Sequence, residues 1–401
     1  NLAQVHLANP IQLMQSEKRG EKDSKLVVPM ALLGAGMLGV AYYFAWTVEN
    51  SGTAMGIFFI LVLLVILATN LLFTSGSIAV LRTLRANRRF YYKPKNFVSV
   101  SGMFHRMRQN AASLATICIL STMFLVTLAG TLSLYLGQEK TLAMYYPYDA
   151  YASGYPIVLD PAAADAALSA LAEQHGVVMH AEEDELNYNV AEGAPNPNAT
   201  VYPGSKLHLQ AHSIELEGVL YFDLEGTEEA CQAFLEQARE LTMAVEDAEM
   251  GSEVNYGYGI SDIWSTRQYN YATYGGLLFL GTFFAVLFLA VTVLMIYFKQ
   301  ITEGYEDKER FSILQQVGMD EAQVKSAINA QVLWVFFLPL ATALLHMVFA
   351  SRILTRMLQA FMLYDWVLVL CCALGVCAAF ALIYFIAYRM TARAYFKIVK
   401  R

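Results

Sequence analysis

Charge is scarce in this chain. Asp, Glu, Lys and Arg make up 15% of its 401 residues against 57% hydrophobic residues, outside the usual range for a soluble globular domain. Cysteine is scarcer: Cys118, Cys231, Cys371, Cys372 and Cys377 are the full set. Only Cys231 lies outside an apolar run, so no disulfide framework of the small secreted kind can form. No CxxC or paired-histidine spacing offers a metal site, and the seven histidines are scattered. A P-loop, a GxSxG elbow, an HExxH helix and a histidine-kinase phosphoacceptor constellation are all missing. The chain therefore reads as no enzyme in its own right, with no catalytic residue and no metal or cofactor of its own.

What is present is a sharp division of charge. Between residues 139 and 268 there are 23 Asp and Glu against four Lys and Arg (Lys140, Lys206, Arg239 and Arg267). That −19 leaves the remainder near +12 on a total of −7. Three long apolar stretches precede the block and three follow it. Basic loops stay on the cytoplasmic side of a membrane, whereas an acidic segment tolerates translocation. The pattern predicts an α-helical polytopic membrane protein with six transmembrane helices and an inserted small mixed α/β extracellular domain at 139–268. Its location is then a membrane, which the chain crosses several times. The chain starts at Asn1 with no signal-peptide pattern, and is expected to be part of a longer subunit.

Taken in order, 1–26 is a charged cytoplasmic linker, and 27–81 holds two spans. Ala31, Ala35 and Gly39 recur at spacing four in the first. Such small residues let two helices approach closely, although they are also common in membrane helices generally. Asn70 in the second is expected to face another helix. The loop at 82–110 carries Arg82, Arg85, Arg88, Arg89, Lys93, Lys95, Arg106 and Arg108 with no acid, which makes it cytoplasmic. Phe90, Tyr91, Tyr92 and Phe97 interleave with those charges as at a lipid headgroup surface, so the bilayer rather than nucleic acid is the partner of this loop. Residues 100–110 are expected to lie along that surface as an amphipathic helix leading into the span at 111–138.

Within the acidic block, Asp160-Pro161 starts a helix that Gly176 stops, with Ala163, Ala167, Leu168 and Leu171 along its apolar stripe. Strands are expected at 177–180 and 218–224, and Thr227 caps a second helix with Phe234, Ala238 and Leu241 on its buried side. Residues 191–205 read as a long exposed loop. The fourth span lies within 269–299, the cytoplasmic region follows at 300–326, and 327–388 holds two more spans. Between those two, 353–363 is expected to be a short outer helix on the membrane surface with Arg352 and Arg356 snorkelling. The tail at 389–401 is basic and hence cytoplasmic. His346, in the fifth span, is expected to be a satisfied packing residue.

The cytoplasmic stretch from Glu303 to Met319 carries Phe311, Ile313, Leu314 and Val317 at helical spacing, with Gly318 as a natural stop. Asp320 then caps a new helix, with Gln323 completing a capping box. The spacing predicts a short helix, a hinge and a second helix running into the fifth span. Residues 306–319 resemble the cytoplasmic segment of FtsX-like ABC permeases. Met103 to Asn110 followed by an apolar span resembles the approach to the first helix of that module. The runs Phe90-Tyr91-Tyr92-Lys93, Ser99 to Met103, Arg106 to Ala111, Ile117 to Thr122, Gln331 to Leu333 and Phe336 to Leu340 are similar to the bacitracin- and lantibiotic-resistance branch of those permeases.

That resemblance implies a subunit of ten membrane helices of which this chain holds the last six. It implies a separate cytosolic ABC ATPase dimer, which supplies ATP and Mg, and in the same branch a membrane histidine kinase. The activity implied is ATP-driven removal of antimicrobial peptide from lipid-linked precursors. Glu306, Arg310, Phe311, Leu314, Gly318 and Met319 would then sit on the coupling helix that meets the ATPase. Glu182, Glu183, Asp184 and Glu185 are the candidate contacts for a cationic or metal-loaded peptide, since charge of one sign steers the opposite sign. An acidic surface equally serves solubility and export. The alternative function is an FtsX-like mechanotransmitter that controls an external hydrolase or lipoprotein extraction.

Overall fold

The computed structural model describes residues 26–92, 94–153, 161–182, 219–247, 252–257, 259–316 and 321–399. Six of its helices are long and apolar enough to cross a membrane, over Val27–Thr47, Ser51–Ala86, Asn110–Met144, Ile263–Lys308, Phe336–Gln359 and Trp366–Arg393. Their large outward apolar side chains, such as Phe59, Phe279 and Leu374, suit a lipid solvent. This is a multi-pass membrane protein with a small inserted sheet.

The first two spans form a hairpin. Helix α1 (Val27–Thr47) runs antiparallel to α2 (Ser51–Leu71), and Asn50 caps α2 by accepting from the backbone N–H of Gly52 and Thr53 at 2.8 and 3.3 Å. The expected small-residue stripe is displaced. Gly39 is exposed, and Gly34, Ala41 and Ala45 are the buried positions. A Cβ on Gly34 would stand 2.9 Å from the Leu71 Cβ, so Gly34 sets the helix separation. One π-helical turn, Leu72–Gly76, lies between α2 and α3 (Ser77–Ala86). Asn70 is exposed, contrary to expectation, and the neighbouring Thr69 faces inward.

After the short α4 (Arg88–Tyr91), helix α5 runs unbroken over Pro94–Tyr145. The expected interfacial helix at 100–110 is thus the first part of the third span's own helix. The same correction applies twice more. Helix α8 (Ile263–Gln316) continues from the fourth span into the stretch expected to be a separate coupling helix. Helix α9 (Glu321–Gln359) takes in the first part of the expected outer helix, and Ile353, Leu354 and Leu358 on it, with Leu363 in the turn after it, are buried in the protein. Within the bilayer no water replaces a broken backbone hydrogen bond, so each helix ladder runs unbroken across its span. Helix α10 covers Trp366–Val399, with Asp365 accepting from the Leu368 N–H at 2.9 Å.

Helices α5, α8, α9 and α10 share one core, in which Phe124 and Phe380 approach to 4.9 Å between ring centroids. The α5–α8 pair is the most extensively packed. The two helices come close at Gly281, where an added Cβ would lie 2.9 Å from the Thr131 Cβ. Pro339 interrupts the ladder inside α9, and the adjacent Phe336 carbonyl accepts from the buried Tyr384 hydroxyl at 2.7 Å.

The inserted domain contains β1 (Ala150–Ser153), α6 (Pro161–His175), β2 (Val178–Glu182), β3 (Val219–Glu225), α7 (Glu228–Ala238), β4 (Thr242–Asp247), β5 (Ser252–Gly257) and β6 (Gly259–Asp262). Strands β4 and β5 pair as an antiparallel hairpin. The other four form an antiparallel sheet in the order β2-β3-β1-β6. Ala150, Ala152, Leu220, Phe222, Leu224 and Ile260 face α6 and α7, meeting Leu168, Phe234 and Ala238. Gly176 takes φ +66 after α6, a conformation open to glycine without penalty, and lets Val177 N–H reach the Ala172 carbonyl at 3.0 Å. Thr227 caps α7 as expected, accepting from Ala230 N–H at 3.3 Å. Strands β1 and β6, absent from the sequence reading, are neighbours with Ala150 opposite Asp262. They continue α5 and lead into α8, so the two helices enter and leave the domain side by side.

Candidate functional site

Of the residues expected to couple to an ATPase, four lie on α8 near its end. Glu306 is half-buried on α8, and Arg310, Phe311 and Leu314 occupy its final turns. Gly318 and Met319 lie outside the described residues, as does the expected hinge. Of the expected peptide contacts, only Glu182 is among the described residues. Glu182 ends β2, and Glu183, Asp184 and Glu185 lie outside the described residues.

Just before Glu306, α8 turns a polar face into the protein. Ile296 is the last fully buried apolar residue of that face, and Lys299, Gln300, Glu303 and Asp307 continue its period inward. All four are less than a tenth exposed, with Glu303 at 2% and Asp307 at 3%. Glu303 Oε1 accepts from Asn110 Nδ2 of α5 at 3.0 Å, and Lys299 Nζ lies 3.9 Å from the same oxygen. Asp307 Oδ2 accepts from the Tyr395 hydroxyl of α10 at 2.6 Å. Gly304 lies between these contacts, where a Cβ would meet the Tyr395 ring at 3.3 Å. One turn before Tyr395, Thr391 is buried and bonds back to the Ala387 carbonyl at 2.9 Å. A carboxylate desolvated to this degree is held only where specific donors replace water.

The sequence reading named Glu303 and Asn110 within its motifs but missed this constellation. The signal was available: positions 299, 303 and 307 repeat at four residues, directly continuing an apolar stripe. What hid it was the charged run around these positions, in which Glu306 beside them is only partly buried.

His346 is satisfied as expected. Its ring, 3% exposed, meets the Tyr42 hydroxyl at Nδ1 (2.6 Å) and the Thr69 hydroxyl at Nε2 (3.0 Å). It borders an apolar cavity of about 350 Å3 between the α1–α2 hairpin, α5 and α9, lined by Tyr42, Phe58, Val126 and Phe349 among others. Among the described residues, no group of three or more His, Cys, Asp or Glu could hold a metal ion.

At the domain end the contacts are of another kind. Asp262, 1% exposed, caps α8 by accepting from Ser265 N–H at 2.8 Å and pairs with Arg239. Tyr146 and Thr266 join the two chain crossings through their hydroxyls at 2.8 Å. Lys140 of α5 meets Asp365 at 2.5 Å, and this hydrogen bond, with the Leu368 N–H, holds the Asp365 carboxyl below the usual carboxylate range.

Six apolar helices, an inserted sheet carried on two of them and an inward polar face beyond the fourth make up a polytopic membrane architecture. Residues 282–396, which span the polar face and both helices after it, match the FtsX-like permease C-terminal domain. The chain is 24% identical to the ABC transporter permease protein YxdM of Bacillus subtilis (strain 168), over 74% of this chain and 58% of that one. It is 21% identical to the ABC transporter permease YvcS of the same organism, over 92% of this chain and 69% of that one. The chain thus spans little more than half the length of YxdM.

Proposed function

We propose that this chain is the membrane-spanning part of an ATP-driven ABC transporter permease of the FtsX-like type. A separate cytosolic ATPase dimer docks on the end of α8 and the turn after it. The observation that carries this reading is the run of α8 through the FtsX-like domain into the segment holding Glu306, Arg310, Phe311 and Leu314. A helix that crosses the membrane and protrudes beyond it can pass motion from a soluble partner into the bundle. ATP and Mg belong to the partner. The test is co-purification of the ATPase with the full permease. Phe311→Asp and Gly318→Pro are expected to abolish association, and an intact complex with both would remove the coupling role.

The finer reading is resistance to cell-wall-targeting antimicrobial peptides of the bacitracin or lantibiotic type. The acidic domain lies outside the cell, receives the peptide, and ATP hydrolysis strips that peptide from its lipid-linked precursor. A membrane histidine kinase reads the state of the transporter. The excess of acid in 139–268 and the resemblance of the membrane segments support this reading. Neutralising Glu182, Glu183, Asp184 and Glu185 together should weaken protection against a cationic peptide and reduce the salt sensitivity of binding. Unchanged protection would sink the electrostatic mechanism.

A second reading, mechanotransmission to an external hydrolase or to lipoprotein extraction, draws on the passage of β6 into α8 without an intervening loop. Its discriminating observation is an external partner protein, rather than a peptide, that depends on the permease for activity.

A further inference from the structure

The buried polar face of α8 has a use beyond holding the bundle together. Replacing Lys299, Gln300, Glu303 and Asp307 by apolar residues would avoid the desolvation of two carboxylates and an ammonium. Buried ionic groups are poor sources of net stability and are best attested where they fix a register. Here the fixed register is that of three helices at one level. Asn110 lies on α5, Glu303 and Asp307 on α8, and Tyr395 on α10. Glu303 and Asp307 stand one turn apart on one face, so the two contacts resist both rotation and sliding of α8. An apolar contact, being non-directional, would resist neither as strictly. The contacts also sit within one turn of Glu306 and two turns of Phe311, at the base of the protruding segment.

We propose that the Glu303–Asn110 and Asp307–Tyr395 hydrogen bonds form a positioning clamp that makes the cytoplasmic extension of α8 move as one body with α5 and α10. This rests on the reading of that extension as the ATPase docking segment. A push delivered beyond residue 307 then reaches α5 and α8 together, and these are the two helices that carry the inserted domain. Without the clamp, the extension bends at its base and ATP hydrolysis is spent locally. Tyr395 and Asn110 are positioning residues and touch neither peptide nor nucleotide.

The test uses the full permease with its ATPase in lipid nanodiscs, with bacitracin as the probe peptide. Tyr395→Phe keeps the ring against Gly304 and removes only the donor. Glu303→Gln removes the charge and keeps the shape. Combined, they should lower peptide release per ATP hydrolysed by about tenfold, the scale of a lost hydrogen bond to a charged group. Basal ATP hydrolysis should stay within about twofold of the parent on the same scale. Spin labels at Tyr305→Cys and Arg393→Cys, both exposed positions, should show a single narrow distance in the parent and a broadened distribution in the double variant. Asp307→Glu, which retains an acceptor for Tyr395, should remain closer to the parent than Asp307→Ala in both readouts. An unchanged yield per ATP together with an unchanged distance distribution would overturn the clamp. The distance measurement needs no ATPase. If no ATPase binds even the parent chain, the docking reading fails while the spin labels still decide whether α8 is held to α10.

Discussion

Around the α5–α8 pair, exposed ion pairs lie at the domain end beside the buried Asp262, and the opposite end holds a shielded polar cluster. At the domain end, Lys140 is 67% exposed where it meets Asp365, and Arg267 and Glu139 are both about half-exposed at 3.3 Å. At the other end, Lys299 and Glu303 are 6% and 3% exposed. Water and salt screen the first set, which contributes little and can be exchanged. The second set is shielded, so its geometry is costly to alter and costly to lose. One end of the pair exchanges its polar contacts with solvent, and the other is closed to it.

The sharpest way to break this arrangement lies between the two ends. Gly281→Leu forces side-chain atoms into Thr131 of α5, a stiff β-branched partner. We expect a loss of about 3 kcal/mol, measured by thermal unfolding of the purified protein. Gly276→Leu, one turn or so away with open space around it, should be near neutral, and equal effects would contradict the packing described. Next in size is Asp307→Ala, which removes the buried acceptor of the Tyr395 hydroxyl and should cost about 2 kcal/mol with little dependence on salt.

Arg239→Ala follows at the domain end. It leaves the buried Asp262 with Ser265 as its remaining partner, a loss of about 1–2 kcal/mol. Because Arg239 is partly exposed, that cost should shrink in high salt where the cost of Asp307→Ala does not. The smallest effect belongs to Lys140→Ala, under about 1 kcal/mol. Its pH dependence has a defined sign. Asp365 has a lowered pKa in the folded protein, so its contribution is complete above the ordinary carboxylate pKa. It is lost as pH falls through the lowered value. The difference in stability between parent and Lys140→Ala should therefore vanish in acid and be present at neutral pH.

Much of the membrane architecture was legible in the sequence, because six uncharged runs longer than the bilayer admit few other readings. The helix caps at Thr227 and Gly176 were equally readable, each resting on one local hydrogen-bonding pattern. The ends of the long helices were not. The charged residues at 100–110 and 306–316 look like surface helices by composition, yet the backbone continues through them because nothing stops it. Strands β1 and β6 escaped notice because four-residue strands carry almost no period of their own, and their pairing is set by partners about 70 to 110 residues away. At the candidate site, the charges of Glu303 and Asp307 were visible, but not their direction. Only the packing of α5 and α10 distinguishes those inward residues from Glu306 beside them.

The most direct test of the account is to ask what each end of α8 touches in the assembled transporter. A photo-cross-linking amino acid at Leu314, in the protruding turns, should capture the cytosolic ATPase, while one at Tyr269, exposed at the domain end, should not. Capture at Leu314 alone is the result the account predicts. No capture from Leu314, or equal capture from both positions, would contradict it.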